Sequence, residues 1–131
     1  FAVGENGTIL HYNGSAWSSM SSGTTGFIEG IWGTSSSDVF VVGENGIILH
    51  YNGSTWSSMS SGTTERLREI WGSSSSDVFV TGENGTILHY NGSTWSSMSS
   101  GTTRGLDGIW GNSSSDVFVM GRGGTILHYT G

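Results

Sequence analysis

Cysteine is absent from the 131 residues, so no disulfide framework exists and the chain carries no signature of a redox compartment. Lysine is absent too. Four Arg stand against ten Asp and Glu, for a net charge of −6. Nucleic acid requires a basic face to neutralise phosphate, so it is not an expected partner. No apolar run approaches the roughly 20 residues that span a bilayer, so membrane insertion is not expected. The opening Phe1-Ala2-Val3-Gly4 has neither a basic region nor an apolar stretch and does not read as a signal peptide. Without an initial Met, the chain reads as a mature or excised piece.

What is present is a 39-residue unit repeated almost verbatim. His-Tyr-Asn-Gly starts at His11, His50 and His89, and returns as His-Tyr-Thr-Gly at His128. Asp-Val-Phe starts at Asp38, Asp77 and Asp116, and Ile-Trp-Gly at Ile31, Ile70 and Ile109. A fixed period of this length marks a repeat architecture in which each unit buries its apolar surface against its neighbours. The whole chain is one such array: a partial unit over 1–29, complete units over 30–68 and 69–107, and a partial unit over 108–131.

One unit reads as four short antiparallel strands. Ile31-Trp32-Gly33 stops at a Ser/Thr run. Asp38 opens Val39-Phe40-Val41-Val42, rich in β-branched and aromatic residues. Asn45-Gly46 is a strong hairpin signal because both residues tolerate positive φ. Ile47 to Tyr51 is the third strand, Asn52-Gly53 a second turn, and Ser54 to Met59 the fourth strand. Two-residue loops at both turns place Val42 opposite Leu49, Phe40 opposite Tyr51, and Leu49 opposite Trp56. Phe40, Val42, Leu49, Tyr51 and Trp56 then share one face, and Val39, Val41, Ile48 and His50 the other. Both faces are largely apolar, so the sheet must be sandwiched.

Sandwiched four-stranded sheets with a constant repeat are the blades of a β-propeller. The unit resembles blades of the broad class holding WD-repeat, kelch and Asp-box proteins. It is most similar to the Ser/Gly-rich, Ile-Trp-Gly-bearing blades of bacterial surface and secreted proteins. Asn52-Gly53-Ser54-Thr55-Trp56 is one residue shorter than the Asp-box turn, and no Trp-Asp pair occurs. The resemblance therefore implies an all-β propeller and transfers no active site. A β-solenoid is the alternative, and two hairpins per unit argue against it. About three and a half blades do not close a ring, so the chain is expected to be a homo-oligomer or part of a longer chain.

The copies differ mainly where one unit enters the next. The connections read Gly26-Phe27-Ile28-Glu29-Gly30, Glu65-Arg66-Leu67-Arg68-Glu69 and Arg104-Gly105-Leu106-Asp107-Gly108. The turn between strands two and three differs once, where Arg122-Gly123 replaces Glu-Asn. In a four-stranded meander these two connections share a rim, and loops on a rigid scaffold are where binding usually resides. Phe27, Glu29, Glu65, Arg66, Arg68, Glu69, Arg104, Asp107 and Arg122 are therefore the candidate partner-binding residues. Replacing Arg66, Arg68 and Arg104 together is expected to abolish binding. The alternative is drift at tolerant surface loops.

The recurring His and Asp residues hint at metal or acid–base chemistry. Repeats spread radially keep them apart, however. Each His is expected to face Val and Ile in a blade interface as a hydrogen-bonded structural group. Each Asp is expected to bond turn backbone. The Trp residues are expected to pack in the core rather than bind sugar. Gly43-Glu44-Asn45-Gly46 lacks the helix that a phosphate-binding glycine loop requires, and neither a cofactor nor a metal is expected. Six Asn, among them Asn52 and Asn91, fit the glycosylation pattern Asn-x-Ser/Thr. The functional expectation is a non-enzymatic, extracellular or cell-surface adhesion module whose variable rim binds a protein or a glycan. A self-assembling structural repeat is the alternative.

Overall fold

The computed structural model describes residues 1–131 and is built of strands and short turns. Four antiparallel sheets follow one another along the chain. The first holds β1 (Ala2–Val3), β2 (Ile9–Tyr12) and β3 (Trp17–Met20). The second holds β4 (Ile28–Ser35), β5 (Asp38–Gly43), β6 (Ile48–Tyr51) and β7 (Trp56–Met59). The third repeats that order in β8 (Leu67–Ser74), β9 (Asp77–Gly82), β10 (Ile87–Tyr90) and β11 (Trp95–Met98). The fourth has β12 (Leu106–Ser113), β13 (Asp116–Gly121) and β14 (Thr125–Tyr129). Each sheet is a meander in sequence order, and the four are blades of a β-propeller whose ring is open.

The register differs from the sequence expectation by one residue. Val42 pairs with Ile48, Val41 with Leu49, Phe40 with His50 and Val39 with Tyr51. The cause is the length of the turn. Gly43 N–H donates to the Ile47 carbonyl at 3.0 Å and Ile47 N–H donates back to the Glu44 carbonyl at 3.1 Å, so Glu44, Asn45 and Gly46 all lie in the loop. Asn45 and Gly46 do take positive φ, 55° and 69°. The second turn holds four residues rather than two. Asn52 Oδ1 accepts from the Ser54 and Thr55 amides at 2.9 and 3.0 Å. Asn52 stays out of the positive-φ region and only Gly53, at 96°, enters it. Trp56 therefore lies opposite Tyr51, not Leu49.

Because side chains alternate, a one-residue slip re-deals the faces. Trp32, Phe40, Val42, Ile48, His50 and Met59 share one face; Val39, Val41, Leu49, Tyr51 and Trp56 share the other. Each face packs on a neighbour. Phe40, Val42 and Ile48 form one buried cluster with Leu67, Ile70, Val78, Val80 and Leu88 of the third sheet. Ile9 of the first sheet forms another with Ile28, Val41 and Leu49 of the second.

The recurring Ile-Trp-Gly now has a cause. A Cβ on Gly72 would sit 2.6 Å from the Trp32 indole, and one on Gly111 would sit 2.5 Å from the Trp71 indole. Gly72 and Gly111 are each the seat of the preceding blade's tryptophan. Trp56 and Trp95 of the outer strands also pack against the clusters.

Among these apolar contacts one hydroxyl is misplaced. Thr81 is 0% exposed and its Oγ1 has no hydrogen-bond partner. The equivalent positions hold Val3 and Val42. A buried, unpaired hydroxyl costs about 1–3 kcal/mol. Thr81→Val should therefore stabilise the protein by about 1 kcal/mol, read as a higher urea midpoint at unchanged m-value. An unchanged or lower midpoint would show that the hydroxyl has a partner.

Candidate binding cleft

The turn between the second and third strands of each blade is tied by backbone bonds to the chain segments around it. Glu44 N–H donates to the Phe27 carbonyl and Gly46 N–H to the Glu65 carbonyl, both at 2.9 Å. The next blade repeats this with Glu83 to Arg66 and Gly85 to Arg104, again at 2.9 Å. Gly46 is confined to glycine twice over: its φ is positive, and a Cβ there would lie 2.0 Å from the Thr63 carbonyl oxygen. The variable segments are thus held by main-chain bonds that do not depend on their side chains.

These segments enter the inner strands β4, β8 and β12, which lie side by side. Their first residues line an open cleft of about 530 Å³. It brings together Phe27, Glu29, Arg66, Arg68, Glu69, Asp107 and Arg122, with Val3 and Ile28. Two of the expected residues stand outside it. Glu65 accepts a hydrogen bond from Asn84 Nδ2 at 2.8 Å. Arg104 lies against the Gly123 turn, and no carboxylate comes within ion-pair distance. Val3 and Ile28 do not stand out in the sequence because apolar residues in strands read as core, and Ile28 belongs to the core as well.

Within the cleft the arginines are already partnered. Arg66 bonds Glu29, lies 3.9 Å from Glu44, and sits over the Phe27 ring at 5.4 Å. Arg68 bonds Glu83, reaches Asp107 at 3.2 Å and lies 3.9 Å from Glu29. Arg122 reaches Glu83 at 3.0 Å and Asp107 at 3.5 Å. The hydrogen bond from Arg68 holds the Glu83 carboxyl below its usual value against partial burial, aided by the charges of Arg68 and Arg122. Glu69 differs: no cation lies within 4 Å of it. Partial burial, and then the neighbouring Glu29 carboxylate, push its pKa up.

The opposite rim carries the His–Asp pairs. His50 Nε2 meets Asp38 Oδ1 at 2.7 Å, His89 meets Asp77 at 2.7 Å, and His128 meets Asp116 at 2.8 Å. Each ring lies against the Phe it pairs with across the strands, His50 against Phe40 at 4.4 Å between ring centres. The histidines are hydrogen-bonded structural groups. Their neighbour is a Phe ring rather than the Val and Ile expected from the slipped register. The Asp carboxylates bond side chains, His50 and Thr34 for Asp38, rather than turn backbone. Burial would raise the Asp38 pKa, but the bonds from Thr34 and His50 outweigh it and hold the carboxyl low. The Thr34 and Ser73 hydroxyls donate to Asp38 and Asp77, and neither bonds a histidine ring.

No protein-family model matches the chain, and no curated protein matches it. Among solved structures it is similar to YCF48 from Cyanidioschyzon merolae, with a TM-score of 0.74 at 18% identity over 95% of this chain and 44% of that one. It is likewise similar to YCF48 bound to D1 peptide, with a TM-score of 0.78 at 18% identity over 97% of this chain and 45% of that one. The chain spans less than half the length of either. At this identity the likeness is one of fold.

Two substitutions in the cleft should move stability in opposite directions. A carboxyl whose folded pKa is raised loses stability wherever it is ionised. Glu69→Gln should therefore raise the urea midpoint at neutral pH, with the gain gone once pH falls below the usual carboxylate value near 4.5. A carboxyl whose folded pKa is depressed adds stability above its unfolded pKa and loses it as pH falls through the lower folded value. Glu83→Gln should therefore lower the midpoint at neutral pH and match the parent in acid. Midpoints measured across pH for both variants check this; two shifts of the same sign would contradict the charge assignment.

Proposed function

We propose that the chain is a non-enzymatic protein-binding propeller module that holds an extended peptide segment in the cleft at the entry of its inner strands. The observation that carries this reading is convergence. The units are nearly identical, yet seven of the residues at which they differ line one cleft on a rigid frame. The fold supports the reading too, since a structure with this fold holds a peptide. A protein segment suits the site better than a glycan. The exposed aromatic rings that could stack on sugars, Tyr12, Trp17 and Trp110, lie on the end blades, away from the cleft. The His–Asp pairs sit on the other rim, at most one per blade, and no hydroxyl bonds their imidazoles, which favours binding over catalysis.

A second reading, assembly through the end blades, is favoured by their exposed apolar side chains. Ile126 is 72% exposed and Met120 44%, whereas the equivalent Ile48 and Val42 are 1% and 0% exposed within the array. At the other end Trp17 is 54% exposed. These are surfaces that fit another unit of the same repeat. Sedimentation of the parent against Ile126→Glu should show association that the variant lacks; identical profiles would remove this reading.

The cleft reading is tested with a library of labelled random nonapeptides, followed by fluorescence polarisation of the selected binders. Phe27→Ala combined with Arg66→Ala should weaken binding at least tenfold. Ser54→Glu, exposed on the opposite rim, should leave it unchanged. Circular dichroism establishes that both variants are folded. Binding that survives the first change, or is lost with the second, would place the site elsewhere.

A further inference from the structure

The identity of the ligand's anchoring group follows from charge accounting in the cleft, given the peptide-binding reading above. Three guanidinium groups, Arg66, Arg68 and Arg122, each face two or more carboxylates. The carboxylates that line the cleft or pair with its arginines are Glu29, Glu44, Glu69, Glu83 and Asp107. Five negative groups against three positive ones leave the site acidic. The arginines are therefore not free receptors for an acidic segment. A ligand carboxylate would have to displace a pair already formed.

Glu69 is the carboxylate without a partner, and its position is unusual within the repeat. The equivalent residues of the neighbouring inner strands are Gly30 and Gly108. One unit alone projects a carboxylate at this level, flanked on both sides by strands with no side chain there. Its partner across the strand pair is Thr81, whose buried hydroxyl is also unpartnered. In the flanking blades the same register holds Gly30 with Val42 and Gly108 with Met120. Two polar groups without a protein partner, the exposed Glu69 carboxylate and the buried Thr81 hydroxyl, thus occur together at the one place where the repeat elsewhere puts glycine and an apolar residue. Neither serves the fold: one is a buried hydroxyl without a bond, the other a carboxylate set beside Glu29.

We propose that Glu69 is the receptor for a cationic side chain, Lys or Arg, of the peptide bound in the cleft. A metal ion is a poor alternative. A hard divalent cation takes six or more oxygens, and no group of three metal-ligating side chains gathers here. Glu29, Glu83 and Asp107 are also already held by guanidinium groups. A single ammonium or guanidinium needs only the one free carboxylate, and it brings the local charge nearer to balance. Phe27 adds an apolar wall against which the stem of a long cationic side chain can lie.

The test uses four pools of labelled nonapeptides, random except for a fixed central residue: Lys, Arg, Glu or Ala. The Lys and Arg pools should bind about tenfold more tightly than the Ala pool, and the Glu pool more weakly than Ala. Glu69→Gln should remove the advantage of the Lys and Arg pools over the Ala pool. Glu69→Asp should keep part of the preference. Glu69→Gln is expected to fold, because it removes only a charge. Equal binding of the Lys and Ala pools, preference for Glu, or a cation preference that survives Glu69→Gln overturns the assignment of Glu69 and leaves the peptide-binding reading standing. Binding of no pool at all overturns both.

Discussion

Every sheet in this chain is apolar on both sides, and the arrangement follows from the need to cover both. The same side chain shows the consequence in two settings. Ile48 is 1% exposed between blades, and its equivalent Ile126 on the last blade is 72% exposed. Nothing in the local sequence differs enough to explain that contrast; only the presence of a neighbour does. Burying a Val, Leu or Ile side chain contributes about 1.5–3 kcal/mol, and each blade interface buries several. Stability in such an array is a sum over interfaces between nearest neighbours, so no blade is independent and any blade can serve as any other's partner. The tryptophan seated on the next blade's glycine is the most specific part of this contact. It fixes how closely the inner strands approach.

That same division of labour leaves the rim free to vary. Glu44, Gly46, Glu83 and Gly85 bond to carbonyls of the entering and leaving segments through their main chain. A side chain at position 27, 66 or 105 can therefore be Phe, Arg or Gly without altering the path of the backbone. The alternation of Glu29, Arg68 and Asp107 at one level across three adjacent strands shows how that freedom is used. Partly exposed ion pairs contribute little to stability, typically below about 1 kcal/mol each. What Arg68 gains from three surrounding carboxylates is orientation more than energy.

The architecture was legible because repetition is read directly and because β-branched strands broken by Asn-Gly have few alternatives. The register was not. Asn45-Gly46 announces positive φ, and both residues adopt it, but the dipeptide says nothing about Glu44 joining the loop. The resulting slip escaped notice for a physical reason. In a sheet with one polar face, moving a strand by one residue would have driven polar groups into the core. Here either dealing of Phe40, Val41, Val42, Ile48 and Leu49 gives two apolar faces, so the pattern could not correct the loop length. The cleft was legible in outline, since comparing the units with one another singles out most of its lining. Its pairings were not, because they depend on which side chains of neighbouring strands stand level. Arg104 shows the limit: it shares a segment with Asp107, yet only Asp107 reaches the cleft.

The position of Glu69 also bears on why the repeat is not perfect. Near-identical units are under a common packing requirement, and Gly30 with Val42 meets it without an unpaired polar atom. Glu69 with Thr81 meets it less well, since burial and the Glu29 charge disfavour the carboxylate and the Thr81 hydroxyl lies unbonded in the core. A departure that stabilised the fold would need no further explanation. One that weakens it, confined to a single unit and opening on the same concavity as six other variable residues, fits the binding role proposed for the cleft.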